Sequence, residues 1–193
     1  NLLFGSGLIP PGTGVLLNNE MDDFALKPGT PNAFGVMGYD ANAPKPGKRM
    51  LSSMTPTFMM SPDRVTVLGT PGGSRIITMV LLGVLGYADG LDAQRVAALP
   101  RFHHQWMPDA IGIERDALPD DVVAALRAMG HTVNAPKDAG DGRRSSDVWG
   151  NLQTVEWNRR DNTLHGGSDP RNPVGRALID TAPSEAPLNE AAP

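Results

Sequence analysis

Residues 56–88 leave little freedom in how this chain can fold. Apolar and β-branched residues at 56–60 and again at 64–68 read as two strands joined across Ser61-Pro62-Asp63 as a hairpin. Thr70-Pro71-Gly72-Gly73-Ser74 follows at once, and beyond it the apolar spacing becomes helical through Leu85. The stretch is thus a strand followed by two glycines and a helix in direct succession. The apolar run from Ile76 to Ala88 contains two glycines and is too short to span a bilayer, so it reads as a buried helix.

The rest of the chain divides into short elements. Residues 15–18 are expected to form a strand. Residues 27–49 carry four prolines and four glycines with little apolar periodicity, which predicts a long ordered loop. Residues 92–99 suggest a short helix ended by Pro100. Residues 119–129 suggest another, with Asp120 and Asp121 in its first turn and Gly130 as C-cap. Residues 131–133 and 152–157 read as strands, the latter followed by a turn at 158–162. From Asp180 onward the chain is rich in Ala, Pro and acid, too poor in apolar groups to order alone, and is expected to be a floppy or partner-anchored tail.

A length of 193 residues fits one domain or most of one, and 40% apolar with 20% charged residues excludes a wholly disordered chain. A net charge of −4 gives no reason to expect nucleic acid. The arginine pairs Arg143-Arg144 and Arg159-Arg160 read as solvated surface. Cysteine is absent, which removes disulfides, thiolate metal sites and a cysteine nucleophile from this chain. The opening "NLLFGSGLIPPGTG" has neither an initiator methionine nor a basic n-region nor a cleavage pattern, and reads as the inside of a longer, processed or truncated protein.

Several stretches could carry chemistry. Backbone N–H groups at Gly72-Gly73, leading into a helix, could hold an anion or oxyanion, although such turns are also common as structure alone. Ser52 and Ser53 could cap a turn or donate to a ligand carboxylate. A Ser-His-Asp arrangement with His103 or His104 lacks a nucleophile-elbow pattern. A metal site at His103-His104 lacks a third ligand at suitable spacing, and packing of the imidazoles and Trp106 is the simpler reading; His165 stands alone. "NNEMDDF" at 18–24 puts three carboxylates within four positions. It lacks the interleaved ligands of a calcium loop, and reads either as a solvated turn or as a cradle for a ligand ammonium.

Taken together, "FGSG", "LLNNEMDDF", "PGTPNAFG", "PGKRMLSSMTPT", "GTPGGSRI", "PRFHHQWMPD" and "GGSDPR" resemble, in order and spacing, the small subunit of γ-glutamyltranspeptidases, also called glutathione hydrolases. The resemblance runs from residue 1 to about 178. It implies an α+β fold, an αββα sandwich of the N-terminal-nucleophile hydrolase type, made as a zymogen that cuts itself into a large and a small subunit. Residues 1–179 would be the small-subunit part of that domain and 180–193 the tail. The family's nucleophile is a threonine, with its own α-amine as base, at the start of the small subunit. This chain begins with Asn1, which matches a position beyond it, so the threonine is expected upstream.

Carried over residue by residue, the resemblance assigns Asn1, Glu20 and Asp23 to the substrate's α-amino group, with Asp22 behind them or solvated. Ser52 and Ser53 would hold the α-carboxylate together with an arginine of the large subunit, and the N–H groups of Gly72 and Gly73 would form the oxyanion hole. Residues 28–39 resemble a lid loop, with Phe34 at the position of an aromatic gate. The implied reaction is ping-pong transfer of a γ-glutamyl group from glutathione or a related compound to water, an amino acid or a peptide. It needs no cofactor or metal, and the family suggests a periplasmic or secreted bacterial protein. Two rivals are a glutaryl acylase of the same superfamily, whose substrate has no α-ammonium, and an inactive γ-glutamyl-binding homologue.

Overall fold

The computed structural model describes residues 4–32, 35–134 and 149–179. The expected hairpin is present as β1 (Thr57–Met60) and β2 (Arg64–Gly69), paired antiparallel with Thr57 opposite Leu68 and Met60 opposite Val65. Its turn closes because Ser61 N donates to Arg64 O at 2.8 Å while Arg64 N donates to Ser61 Oγ at 3.1 Å. The chain next forms α1 (Ile76–Ala88) and α2 (Ala93–Ala98), the latter capped by Asp92, whose carboxylate accepts from Arg95 N at 2.8 Å. A two-residue ribbon follows, β3 (Phe102–His103) with β4 (Gly112–Ile113), and then α3 (Asp120–Ala128). The hairpin β5 (Gln153–Asn158) and β6 (Thr163–Ser168) completes a four-stranded antiparallel sheet in the order β1-β2-β5-β6.

Strand alternation decides which side chains meet the helices. Thr66 and Leu68 of β2 and Thr154 of β5 are buried on one face, beneath α1 and α2. Leu68, Ile76, Val80, Tyr87, Val96 and Leu152 form the core there, each burial contributing about 1.5–3 kcal/mol. Gly83 lets α1 approach the sheet, since a Cβ there would come within 2.7 Å of Leu68 Cδ1. Tyr87 donates its hydroxyl proton to Thr154 Oγ1 at 2.7 Å, because Thr154 uses its own on Val67 O at 2.9 Å. α3 packs on a separate small cluster of Ile113, Val123 and Val133.

The other face of the sheet is apolar as well. Two cross-strand rows run Phe58–Val67–Val155 and Met60–Val65–Trp157–Leu164, and Phe58, Met60 and Val155 are 68%, 71% and 47% exposed. A sheet apolar on both faces requires cover on both. The described residues supply one sheet layer and one helix layer of an α+β architecture.

Some expectations need correction. Helix α1 is buried on one side only: Ile77, Leu81 and Leu85 form a stripe that is 50–56% exposed. Residues 15–18 are not a strand; Leu17 N bonds Leu8 O at 2.9 Å and Ser6 N bonds Leu17 O at 3.0 Å, but the glycine- and proline-rich turn between them prevents a ladder. Of residues 131–133 only Val133 pairs, in a single bridge to Ile111. Strand β6 was not expected, because Gly166 and Gly167 weaken its strand signal; it exists because β5 hydrogen-bonds along its whole length. The expected tail at 180–193 and the pair Arg143-Arg144 lie outside the described residues. Among the described residues no helix is long and apolar enough to cross a membrane.

Candidate active site

The acidic stretch forms a 3₁₀ turn, Glu20–Asp23. Asn18 Oδ1 accepts from Glu20 N at 3.0 Å, and Asn19 Nδ2 donates to Asp22 Oδ2 at 3.0 Å, which leaves Asp22 on the exposed side. Glu20 and Asp23 are half-buried and their carboxyl groups are within hydrogen-bonding reach of one another. Burial, and then the neighbouring charge and hydrogen bond of Glu20, raise the Asp23 carboxyl above its ordinary value. Lys48 does not relieve this, since its ammonium donates to the carbonyls of Ala41 and Ala43 at 2.6 and 3.0 Å.

Asn42, which the sequence reading did not single out, ties this turn to the serine pair. Its Nδ2 donates to Asp23 O at 2.7 Å and its Oδ1 accepts from Leu51 N at 3.1 Å. The Ser52 hydroxyl then reaches Glu20 Oε1 at 2.5 Å and accepts from Met54 N at 3.2 Å. Ser52 therefore sits at the acidic end, bonded to Glu20, while Ser53 faces the cavity described below.

The glycine pair adopts backbone angles that L side chains rarely reach, φ 144° at Gly72 and 58° at Gly73. A Cβ at Gly72 would lie 2.5 Å from Met79 Cε. A 3₁₀ turn, Gly73–Arg75, connects the pair to α1. Beside it, Ser74 Oγ donates to Gln105 Oε1 at 2.5 Å, and His103 Nε2 meets the same oxygen at 2.8 Å. An oxygen that only accepts makes His103 Nε2 the donor. Burial lowers the His103 pKa and so favours the neutral ring, in which Nδ1 accepts from Thr78 Oγ1 at 2.8 Å. Ser52 is bonded to Glu20 and His103 to Thr78 and Gln105, so these two do not form a serine–histidine nucleophile pair. His104 is half-exposed and bonds Asp109 at 2.9 Å, and Trp106, expected to be packed, is 65% exposed. Among the described residues no cluster of ligands suits a metal ion.

A buried charge network braces the glycine turn from behind. Arg101, 2% exposed, donates to Asp169 Oδ2 at 2.6 Å, to Ala97 O at 3.2 Å and to Trp149 O. Asp169 also accepts from Leu152 N at 2.8 Å and from Arg171 Nη1 at 3.0 Å, and Arg171 forks onto Glu114. The segment so held presses on the turn: Asn151 N donates to Thr70 Oγ1 at 3.0 Å, and a Cβ at Gly150 would lie 2.3 Å from Pro71 O. The motifs "PRFHHQWMPD" and "GGSDPR" contain Arg101, Gln105, Asp169 and Arg171, but their spacing does not reveal that they meet.

A cavity of about 340 Å³ brings these parts together, with Glu20, Asp23, Ser53, Gly73 and Ser74 in its walls. The described parts of the 28–39 stretch close one side, through Thr30, Pro31, Asn32, Val36 and Gly38. Ser52 and Gly72, next in sequence to Ser53 and Gly73, are not among its walls. Asn1 and Phe34 lie outside the described residues.

Comparison with known proteins gives this geometry a family. A family model described as gamma-glutamyltranspeptidase matches residues 1–179. The glutathione hydrolase proenzyme of Escherichia coli is 44% identical over 174 residues, which are 89% of this chain and 28% of that proenzyme. The crystal structure of the Helicobacter pylori γ-glutamyltranspeptidase T380A mutant is 40% identical with a TM-score of 0.73, covering 89% of each chain. A cephalosporin acylase from Bacillus halodurans, 24% identical with a TM-score of 0.57 over 86% of this chain and 28% of its own, shares the fold alone. The chain has the α+β fold of the N-terminal-nucleophile hydrolases and corresponds to the small-subunit part of a proenzyme; it belongs to the γ-glutamyltranspeptidase family.

Proposed function

We propose that this chain forms the γ-glutamyl-binding half of a γ-glutamyltranspeptidase and glutathione hydrolase. The observation that supports the reading is one cavity whose walls include Glu20, Asp23, Ser53 and Gly73. A γ-glutamyl group bears an ammonium and a carboxylate on one carbon, so its site needs anionic acceptors facing one and donors facing the other. Glu20 and Asp23, with Asn1, take the ammonium, whose charge relieves their mutual repulsion. Ser53 and Ser52 turn to the carboxylate, aided by an arginine of the large subunit. The N–H groups of Gly72 and Gly73 stabilise the oxyanion, and the 28–39 loop, with Phe34, covers the acyl group. An acylase substrate without an ammonium would leave the acidic pair uncompensated.

The nucleophile in this reading is a threonine upstream of Asn1, freed when the precursor cleaves itself. It attacks the γ-glutamyl amide, the amine departs, and water, an amino acid or a peptide takes the acyl group. The partner is the large subunit of the same precursor, whose sheet covers the apolar face at Phe58, Met60 and Val155. The location is periplasmic or secreted, which fractionation of expressing cells tests.

The deciding experiment is release of a chromogenic amine from a γ-glutamyl anilide by the complete, processed protein, with and without an acceptor dipeptide. Release that increases with acceptor is expected. Binding of a γ-glutamyl compound without release identifies an inactive binding homologue, and preference for a glutaryl amide identifies an acylase.

A further inference from the structure

The acidic pair and the serine pair stand on two short segments outside the sheet and the α-helices. Glu20 and Asp23 belong to a 3₁₀ turn, and Ser52 and Ser53 to a stretch, residues 50–56, without regular secondary structure. The bond from Ser52 Oγ to Glu20 Oε1 joins the two segments directly. Ser52 has one hydroxyl proton, so a ligand carboxylate that takes it releases the link to Glu20. The spacing of the loaded site must therefore be held by contacts that the ligand does not claim.

Asn42 makes such contacts. Its Nδ2 donates to Asp23 O at 2.7 Å and its Oδ1 accepts from Leu51 N at 3.1 Å, so one planar amide spans from the main chain of the acidic turn to the main chain just before the serines. One partner can only accept and the other only donate, which fixes the way the amide faces. The main chain repeats the attachment, since Asn42 O accepts from Ala25 N at 3.0 Å. At Gly38 the same segment presses on Ala25, where an added Cβ would lie 2.6 Å from Ala25 Cβ. Lys48 secures the 3₁₀ turn Asp40–Asn42: its Nζ donates to Ala41 O at 2.6 Å and to Ala43 O at 3.0 Å, the carbonyls on either side of Asn42 in sequence.

We propose that Asn42, locked in place by Lys48, is a positioning residue that sets the span between the ammonium end and the carboxylate end of the donor site, and so selects ligands carrying both groups on one carbon. The inference rests on the γ-glutamyl reading. In such a ligand the separation of the two groups is fixed by covalent geometry. It gains from both ends at once only if the protein holds them at the matching distance beforehand. A ligand with one of the two groups is indifferent to that distance. Asn42 acts through the main chain of Asp23 and Leu51, and these bonds persist when the Ser52 hydroxyl turns to the ligand.

The test uses the complete two-subunit protein and competitive inhibition of γ-glutamyl anilide hydrolysis by three small acids. L-Glutamate carries both groups, 4-aminobutanoate lacks the α-carboxylate, and glutarate lacks the ammonium. Asn42→Ala should raise the inhibition constant of L-glutamate and the KM of the anilide about tenfold, the scale of two lost hydrogen bonds, with 4-aminobutanoate and glutarate shifting less than about twofold. The kcat should change less than the KM, because the N–H groups of Gly72 and Gly73 are untouched. Lys48→Met should act in the same direction by a smaller factor, and Lys48→Arg, which keeps its donors, should stay near wild type. If Asn42→Ala fails to yield processed protein, the two Lys48 variants decide by the same comparison. An unchanged L-glutamate constant overturns the proposal, and so does an equal weakening of all three acids, which marks a general collapse of the site. If wild type neither releases amine from the anilide nor binds L-glutamate, the γ-glutamyl reading itself fails.

Discussion

The Ser52 hydroxyl donates to Glu20 Oε1 at 2.5 Å across 32 residues of sequence. This bond joins the 3₁₀ turn that carries the acidic pair to the segment that carries the serine pair, and Asn42 makes the parallel link through the backbone. The two ends of the cavity are therefore one hydrogen-bonded unit, and a change at one end is felt at the other.

Asp23→Asn should lower kcat/KM for a γ-glutamyl donor by roughly ten- to hundredfold, the scale of a charge-assisted hydrogen bond of about 1.5–3 kcal/mol. Because the substitution also removes a carboxylate crowded by Glu20, it should raise the melting temperature at neutral pH. Steady-state kinetics and thermal unfolding of the same preparation check both. A loss of stability parallel to the loss of activity would refute the ammonium role.

The raised Asp23 pKa fixes the sign of a pH dependence. A carboxyl whose folded pKa lies above its unfolded value favours the folded state when protonated, and this contribution is lost as pH rises from the unfolded toward the folded pKa. Wild type should thus lose stability relative to Asp23→Asn on going from strongly acidic to neutral pH. Donor affinity should move oppositely, falling as pH drops through the raised pKa, because the ammonium needs the ionised carboxylate. Paired pH profiles of unfolding and of donor KM measure the two trends.

Gly72→Ala places a side chain at φ 144° and drives its Cβ to 2.5 Å from Met79 Cε. The backbone strain should cost about 1–3 kcal/mol. Because the methionine end can move, the fold should survive while the N–H groups of the turn are displaced. The kcat should fall on the order of a hundredfold or more, as for loss of an oxyanion donor. Comparison of kcat with donor KM separates this from a binding defect, which would appear in KM.

Asp169→Ala removes the carboxylate that faces both Arg101 and Arg171, leaving a buried guanidinium without its counter-charge. A loss of about 3–5 kcal/mol is expected, as for breaking a buried ion pair from one side. Denaturant unfolding of the complete protein measures it, and a cost below 1 kcal/mol would show that Leu152 and the glycine turn do not depend on the network.

Val155→Asp puts a charge in the centre of the apolar outer sheet face. If the partner's sheet covers that face, the full precursor carrying this change should fail to yield a stable two-subunit protein. The same substitution at Thr13, in an exposed turn, should be tolerated. Co-purification of the two subunits distinguishes the outcomes.

Local patterns determined much of this protein. Residue pattern wrote the β1–β2 hairpin, β5 and the three helices into the chain, because strand and helix periods are properties of neighbouring residues, although not which side of α1 is buried. Motif order was specific enough to indicate the family and to nominate Glu20, Asp23, the serines and the glycines. Tertiary structure decided what sequence spacing cannot carry. Strand β6 has too much glycine to announce itself and exists through its partner. Arg101 and Asp169 lie 68 positions apart and meet only because α2 and the end of β6 pack together. Asp22 and Asp23 are adjacent and chemically alike, yet a 3₁₀ turn exposes one and half-buries the other, and burial beside Glu20 raises the proton affinity of Asp23. The outer face of the sheet is apolar in sequence, but only the paired register shows that its side chains form one surface, left exposed among the described residues.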